Sequence, residues 1–432
     1  MKFDYNAQVK RLVFYFKSGE KEKKDLCIGV EFEHFAIDNE SLETKTYHGK
    51  DGVGESLEEI GKMDSFMRFE NDGYLLGLTA DDFEISTEPA GQFEISISKK
   101  KSIKDLEKIY LDFMRKYLKV FKDKNQSLVA MGYHPNTSIN DFKISPKKRY
   151  EFMFNYFKDK GTMAHNMMKG TSSVQVTIDY LNEKDFVNKY KAFTYLSPIL
   201  YALFDNSYIF EKKPLETYAI RQEIWENTDL ARSGVLEEAF LEDFSYEKYA
   251  EYILNNNTIF IDDEMGLRST ENKLFKEIFD PEKEGTSDIF HAISIVFPDV
   301  RLKRYIEIRM MDAVPYPLNF SIVTLIKALA YKSGNIEKIL KEFKGVKFSD
   351  LDKARGEIRK KGINAKYYGK TILEWGKFLY DLAENSLDED EKPYLKEFKK
   401  IIDEGKSPRE KFKEIYEEKS LKDAVESEKI NV

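Results

Sequence analysis

The sequence predicts an α+β fold: an antiparallel β-sheet shaped into a bowl, backed by helices, with a helical C-terminal region. Three observations carry this. Four short segments alternate apolar and polar residues at the two-residue period of a strand, stretches with apolar residues three and four apart lie between them, and beyond Pro317 nearly all the signal is helical.

In chain order, residues 1–24 read as an amphipathic helix, with Val9, Leu12, Val13 and Phe16 at helical steps before the polar run GEKEKK. From about 26 to 100 the signal is strand-like, in short alternating runs broken by the turns HGKDGVGES and ENDGY. Residues 102–122 return to helical spacing through Ile103, Leu106, Ile109, Tyr110, Phe113, Tyr117 and Phe121. Strands recur at 172–180 and 300–311, with helices near 184–204 and 246–254 and a polar, Asn-rich insertion at 255–288. Residues 320–332 and 335–432 carry helical periodicity, the latter rich in Lys and Glu. The chain divides accordingly into a main body, 1–335, and a charged helical region, 336–432, with a boundary soft enough for that region to pack on the body.

Composition removes several classes of function. The 69 Lys+Arg against 77 Asp+Glu give a net charge of -8 with the signs interspersed, so no basic stripe for a phosphate backbone is available and no nucleic-acid partner is expected. The single Cys27 excludes an internal disulfide and a Cys-rich zinc site. No run reaches the ~18 apolar residues of a membrane span, and the N-terminal stretch lacks the apolar core of a signal peptide. A cytoplasmic protein, monomer or homodimer, is the expectation. HGKDGVGES lacks the GK[ST] ending of a phosphate-binding loop, so its glycines read as a turn.

The strand faces carry the chemistry. In Ile28 to Ile37, Ile28, Val30 and Phe32 share one face, while Glu31 and Glu33 share the other with Phe35 and Ile37 beyond them. A solvated face would stay polar along its length, so this one enters a partly enclosed cavity. From Gln92 to Ser98, Phe93, Ile95 and Ile97 oppose Gln92, Glu94, Ser96 and Ser98, with Glu88 just before the turn. From Thr171 to Tyr180, Val174, Val176 and Ile178 oppose Gln175, Thr177 and Asp179, and from Arg304 to Met311, Ile306, Ile308 and Met310 oppose Tyr305, Glu307 and Arg309. Strands that are apolar behind and polar in front suit a sheet with helices on its back and a wet front. That front would hold Glu31, Glu33, Glu94 and Glu307, with Glu88 at its edge. Carboxylates so close repel unless a cation sits among them, and all-oxygen ligands suit Mg²⁺ or Mn²⁺ rather than zinc.

Seven stretches extend this reading: IGVEFEHF at 28–35, STEPAGQFEIS at 86–96, MGYHP at 131–135, KRYEFM at 148–153, TSSVQVTIDY at 171–180, RQEIWENTDLARSG at 221–234 and FPDVRLKRYIEIRMMDAVP at 297–315. Together and in this order they resemble the glutamate–cysteine ligase family of the plant and proteobacterial type, whose broader fold group includes glutamine synthetase. The resemblance implies a glutamine synthetase-like sheet and an ATP-dependent ligase that joins the γ-carboxylate of L-glutamate to the amine of L-cysteine through a γ-glutamyl phosphate, the first step of glutathione biosynthesis. It implies Mg²⁺, with Mn²⁺ as the alternative, and ATP as cosubstrate. Glu31, Glu33, Glu88 and Glu94 match the family's metal ligands, Glu33 acting in catalysis, and Gln175 and Glu307 are placed to add to them. Arg309 would contact the substrate carboxylate or the transferring phosphate, and Arg221, Arg232 and Gln92 would bind glutamate or nucleotide. Trp225 and the histidines His34, His134, His165 and His291 read as structural. Two alternatives stand beside this one: the same chemistry on a different amine, and a non-catalytic binder of ATP or glutamate. The disulfide control of the plant members cannot operate inside a chain with one cysteine.

Overall fold

In the computed structural model, which describes residues 3–263, 266–283, 285–332 and 334–432, nine strands form one antiparallel sheet. They are β1 (Ile28–Asp38), β2 (Met67–Asn71), β3 (Tyr74–Thr79), β4 (Phe83–Thr87), β5 (Phe93–Lys100), β6 (Gln126–Val129), β7 (Val174–Ile178), β8 (Val300–Leu302) and β9 (Ile306–Ile308). The spatial order is β8-β9-β7-β1-β5-β4-β3-β2, with β6 pairing the far end of β1.

The parity read from the sequence decides which face each side chain takes. Ile28, Val30 and Phe32 of β1, Ile95 of β5, Val174, Val176 and Ile178 of β7 and Ile306 and Ile308 of β9 are all buried on the back, each contributing ~1.5–3 kcal/mol by leaving water. Helix Ile103–Lys122 packs there against β5 and β6, and helix Leu318–Tyr331 against β7. On the front, register sets the neighbours: Glu31 stands opposite Ser96 and Gln175, and Glu33 directly opposite Glu94.

Two segments depart from the sequence reading. HGKDGVGES is a turn only as far as Gly52, because Val53, Leu57 and Ile60 fall on one buried face and carry the chain into helix Val53–Gly61. Residues 300–311 are a hairpin rather than one strand: it turns through Lys303 and Tyr305, whose backbone groups bond at 2.8 Å, and so sets Arg301 opposite Glu307. The Asn-rich insertion contains a small hairpin, Phe260–Asp263 with Gly266–Ser269, and helix Thr286–Ser294; residues 264, 265 and 284 of it lie outside the described residues.

The front of the sheet is not wet throughout. Past Glu33, Phe35 and Ile37 join Val129, Met131, Tyr208 and Ile209 in a second core, closed by Phe412, Ala424 and Val425 from the last two helices. The chain end then runs beside β6, with Ala130 N–H donating to Glu428 O at 3.0 Å and Ile430 N–H to Leu128 O at 2.9 Å. Helices Asn335–Glu342, Phe348–Lys361 and Ile372–Glu384 pack on the long helix Glu183–Leu203.

Candidate active site

Above the front of β1, β5, β7 and β9 lies a cavity of about 840 Å³. Among the strand residues of its lining the charges are divided, because the sheet order divides the strands, while Lys147, Lys148 and Arg149 reach the cavity from off the sheet. Glu31 and Glu33 on β1, Glu94 on β5 and Glu88 after β4 line it toward one edge, and Arg301, Lys303 and Arg309 of the β8–β9 hairpin line it toward the other, joined by Arg221 from helix Ile220–Glu226.

The carboxylates crowd one another. Glu33 Oε1 accepts from Gln175 Nε2 at 3.0 Å, and Glu94 Oε1 from the Ser86 and Ser96 hydroxyls at 3.2 and 3.1 Å. Burial, then the charge of Glu88, pushes Glu33 up to about 7, with Arg221 pulling the other way. Glu94 is raised well above the ordinary range by burial and then by Glu31, Glu88 and Glu33, and Glu31 is raised by burial and then by Glu307. Half-buried Lys147, whose Nζ donates to Thr87 O at 2.7 Å, also lines the cavity on this side; burial lowers its pKa, against the pull of Glu88.

The basic side is built round Glu307. Its carboxylate takes a hydrogen bond from Arg301 Nε, stands 2.5 Å from Lys303 Nζ and lies 3.6 Å from Arg309 Nη1. Burial alone would raise this carboxyl, but Arg301, Lys303 and Arg309 overcome it and hold Glu307 far below the usual range. Arg309 also donates to Gln175 Oε1, so Arg309, Gln175 and Glu33 form one hydrogen-bonded chain across three strands. Burial, then Arg301, brings the Arg309 guanidinium down to about 10. Arg221 Nη2 donates to Arg309 O at 3.1 Å, while its Nε and Nη1, though buried, meet no hydrogen-bond acceptor among the described residues. Both guanidiniums lie by the Trp225 ring, at 5.6 and 5.7 Å from its centroid.

A divalent cation suits the carboxylate side. Glu31, Glu33, Glu88 and Glu94 offer oxygen only, and their mutual repulsion is what such an ion relieves. Among the described residues no three acidic, His or Cys side chains already close round one point.

Not every predicted residue faces the cavity with free groups. Gln92 lines it, but its amide is spent: Oε1 accepts Ala90 N–H at 2.9 Å and Nε2 donates to Thr171 O at 3.0 Å, clamping the turn at Gly91, where φ is 88. Arg232 does not line the cavity; it is fully buried and bonds Asp229, Asn257 and Ile295 O at 2.8, 2.9 and 2.8 Å, with Tyr156 OH at 2.9 Å, pinning loops behind the site. Conversely Trp225 and His291, read as structural, line the cavity, as do Arg301, Lys303 and Lys147, which the sequence reading did not single out. The signal for Arg301 and Lys303 was their shared parity in VRLKRY, visible only once the hairpin sets them against Glu307. A second compartment of about 720 Å³ shares Glu31 and Phe290 with the first and is lined by the small residues Gly29, Ser96 and Thr177. A Cβ on Gly29 would come within 2.6 Å of Thr177 Oγ1.

Comparison with known proteins identifies the family of the chain. The model of glutamate-cysteine ligase family 2 matches residues 27–427. The chloroplastic glutamate–cysteine ligase of Solanum lycopersicum is 27% identical over 415 residues, covering 94% of this chain and 79% of that protein. Chloroplastic glutamate–cysteine ligase A of Oryza sativa subsp. japonica is 27% identical over 418 residues, covering 94% and 84%. The crystal structure of a glutamate–cysteine ligase from Francisella tularensis in complex with AMP superposes with a TM-score of 0.57 at 11% identity, over 93% of this chain and 87% of that one, a likeness of fold. These relatives correct the cytoplasmic expectation, since the plant enzymes are named as chloroplastic: one cysteine excludes an internal disulfide but does not identify a compartment. Among the described residues no helix is long and apolar enough to cross a membrane.

Proposed function

We propose a function on the premise that this chain belongs to glutamate-cysteine ligase family 2, whose model spans residues 27–427. It is an ATP-dependent ligase that joins the γ-carboxylate of L-glutamate to the amine of L-cysteine, the first step of glutathione synthesis. The observation that supports this most directly is the divided cavity, with acidic side chains on β1 and β5 and basic ones on β8–β9.

The reaction brings anions together. A glutamate carboxylate oxygen takes the γ-phosphoryl group, the bond to the β-phosphate oxygen breaks and ADP leaves. The cysteine amine then attacks the acyl carbon, the bond to phosphate breaks, and the amine gives up a proton. Such transfers are promoted mainly by positioning and charge neutralisation. Arg309 and Lys303 supply positive charge beside Glu31, where the two compartments meet. Arg221, with donors unspent, suits the α-carboxylate or γ-carboxylate of glutamate as a bidentate clamp. Glu31, Glu33, Glu88 and Glu94 would hold Mg²⁺, or Mn²⁺ in its place. When bound, the ion supplies neutralising charge to the phosphates. Glu307 and Gln175 could join those ligands only by releasing Arg301 and Lys303, or Arg309 and Glu33. The second compartment, opening past Glu31 with aromatic Tyr15, Phe290 and Tyr305 in its lining, suits the base and ribose of ATP.

The test is ADP release with mass detection of the product across a panel of amines. The expected result is release that needs glutamate, cysteine and Mg²⁺ together and yields the γ-glutamyl-cysteine mass. Release without cysteine, or supported only by another amine, overturns the acceptor; nucleotide binding without turnover on any amine overturns the enzyme.

A further inference from the structure

Two of the arginines that line the cavity, Arg221 on helix Ile220–Glu226 and Arg309 after β9, are both tied to a residue far along the chain. Arg355, on helix Phe348–Lys361, is 5% exposed. Its Nε stands 2.9 Å from Glu226 Oε1, one residue beyond Trp225 at the end of the Arg221 helix, a charge contact without hydrogen-bond alignment. Its Nη2 stands 3.7 Å from Asp299 Oδ2. Asp299 in turn accepts the backbone N–H of Arg309 on its carbonyl at 3.1 Å, while its carboxylate is fixed by the Ser197 and Tyr201 hydroxyls. One guanidinium therefore spans the supports of both cavity arginines.

Neighbouring contacts fix the same helix at both ends. Arg359 Nη1 lies 2.6 Å from Glu226 Oε2, Gln222 Nε2 donates to Glu226 Oε1 at 2.9 Å, and Tyr218 N–H, just before the helix, donates to Arg359 O at 3.0 Å. The need for such fixing is electrostatic. Arg221 and Arg309 are like charges held side by side at one ring, and the Arg309 pKa, brought down by burial and then by Arg301, is pulled down further by Arg221. A helix of 7 residues has little stability of its own, so without outside support the repulsion would part the two guanidiniums from the Trp225 ring.

We infer that Arg355 is a positioning residue for the ligase reaction, holding Arg221 and Arg309 at one separation through Glu226 and Asp299, and that this is the functional task of helix Phe348–Lys361. The inference rests on the ligase reading above, in which those two arginines bind the reacting anions.

The experiment uses the full chain with Arg355→Met, Arg355→Lys and Glu226→Gln, each alone and the first also combined with Arg221→Lys. Arg355→Met and Glu226→Gln lower kcat/KM for glutamate by roughly 10- to 100-fold, the cost of misplacing a binding group by about an ångström. Arg355→Lys recovers part of the loss, because an ammonium reaches one carboxylate and not both. Added to Arg221→Lys, Arg355→Met costs clearly less than it does alone, since the share of its effect that runs through Arg221 is already lost and only the share through Arg309 remains; independent contributions would multiply in full. Hydrogen exchange over residues 219–227 quickens in Arg355→Met and Glu226→Gln. Folded variants with unchanged kcat/KM and unchanged exchange, or full multiplication of the Arg355→Met and Arg221→Lys losses, overturn the inference. Should Arg355→Met not fold, Glu226→Gln decides by the same readouts. If the unaltered chain releases no ADP with glutamate and cysteine, the ligase reading fails by itself, and exchange over 219–227 still decides whether Arg355 holds the helix.

Discussion

Two acidic side chains 1% and 8% exposed on the same sheet face, Glu307 and Glu33, should respond in opposite directions to the same chemical change. Glu307→Gln removes the anion that Arg301, Lys303 and Arg309 surround. Breaking a buried ion network from one side costs ~3–5 kcal/mol, because the remaining charges stay buried and unpaired. Unfolding entropy of ~2 cal/mol/K per residue over 432 residues is ~0.9 kcal/mol/K, so the melting temperature falls by ~3–6 °C. Glu33→Gln removes a charge that its neighbours already oppose. Its carboxyl sits at about 7 in the folded chain against an ordinary 4.5, and at ~1.4 kcal/mol per unit the ionised group costs up to ~3 kcal/mol once the pH exceeds 7. Losing the Gln175 hydrogen bond returns ~1 kcal/mol of that. Near pH 8 the variant therefore melts ~2 °C higher than the unaltered chain by the same conversion. The sign follows from linkage: a raised carboxyl contributes its full stability below 4.5 and loses it as the pH climbs through 7, so the gap between variant and parent closes near pH 4.5. Scanning calorimetry in chelator-treated buffer at the two pH values measures both shifts. Adding Mg²⁺ at 100 times its dissociation constant should then raise the parent by ~2.7 kcal/mol and leave Glu33→Gln nearly unmoved. Equal losses in both variants near pH 8, or equal Mg²⁺ stabilisation of parent and Glu33→Gln, would refute the division into a self-repelling carboxylate side and a saturated Glu307.

Three further outcomes follow from the same contacts. Arg232→Met, which strips the acceptors Asp229, Asn257 and Ile295 of their common donor, lowers stability by ~3–5 kcal/mol in urea titration while leaving KM for glutamate unchanged in the folded protein; a raised KM at full stability would put Arg232 in the binding site instead. Glu428, raised to about 7 by burial against the Asn206 and Ser427 hydrogen bonds, contributes stability that is complete below 4.5 and lost by pH 7, so Glu428→Gln makes the fall in stability between pH 5 and pH 8 shallower. Asp205 and Asp312, raised to about 7 and about 6 by burial, keep part of the slope, and an unaltered slope in Glu428→Gln would count against the chain end staying docked. Trp225→Leu removes the ring shared by Arg221 and Arg309, and at ~0.5–2 kcal/mol per buried cation–π contact it should lower kcat/KM for glutamate several-fold in steady-state assays; a wild-type value would show that the ring only fills space.

How much of this could be read from the sequence depended on whether a residue's role was set by local period or by distant partners. The sheet, its faces and most helices were legible because alternation at two and spacing at three and four are local, and Glu31, Glu33, Glu94 and Arg309 inherit their facing from that alternation alone. Gln92 has the right parity and still spends its amide on Ala90 and Thr171, since a side chain next to a tight turn is worth more there as a clamp. Arg232, close to Arg221 in RQEIWENTDLARSG, leaves the cavity because the chain turns at Asp229, which captures its guanidinium. Helix Val53–Gly61 was hidden by the glycines that precede it, which advertise a turn and mask the apolar spacing that follows.

The change from Glu33 to Phe35 along one face of β1 has the largest consequence for function. Alternation puts both on the front, so a sheet with an open front would expose Phe35 and Ile37. The fold instead spends the last two helices and the chain end on covering them, and the same C-terminal region supplies Arg355 and Arg359 to the helix that carries Arg221. The front of β1 is thus divided at Glu33 into a charged cavity and a dry core, and the dry half anchors the region that steadies the charged half. Removing residues beyond 335 would therefore expose Phe35 and Ile37 to water and release Glu226 together, so such a truncation should lose both stability and glutamate affinity rather than either alone.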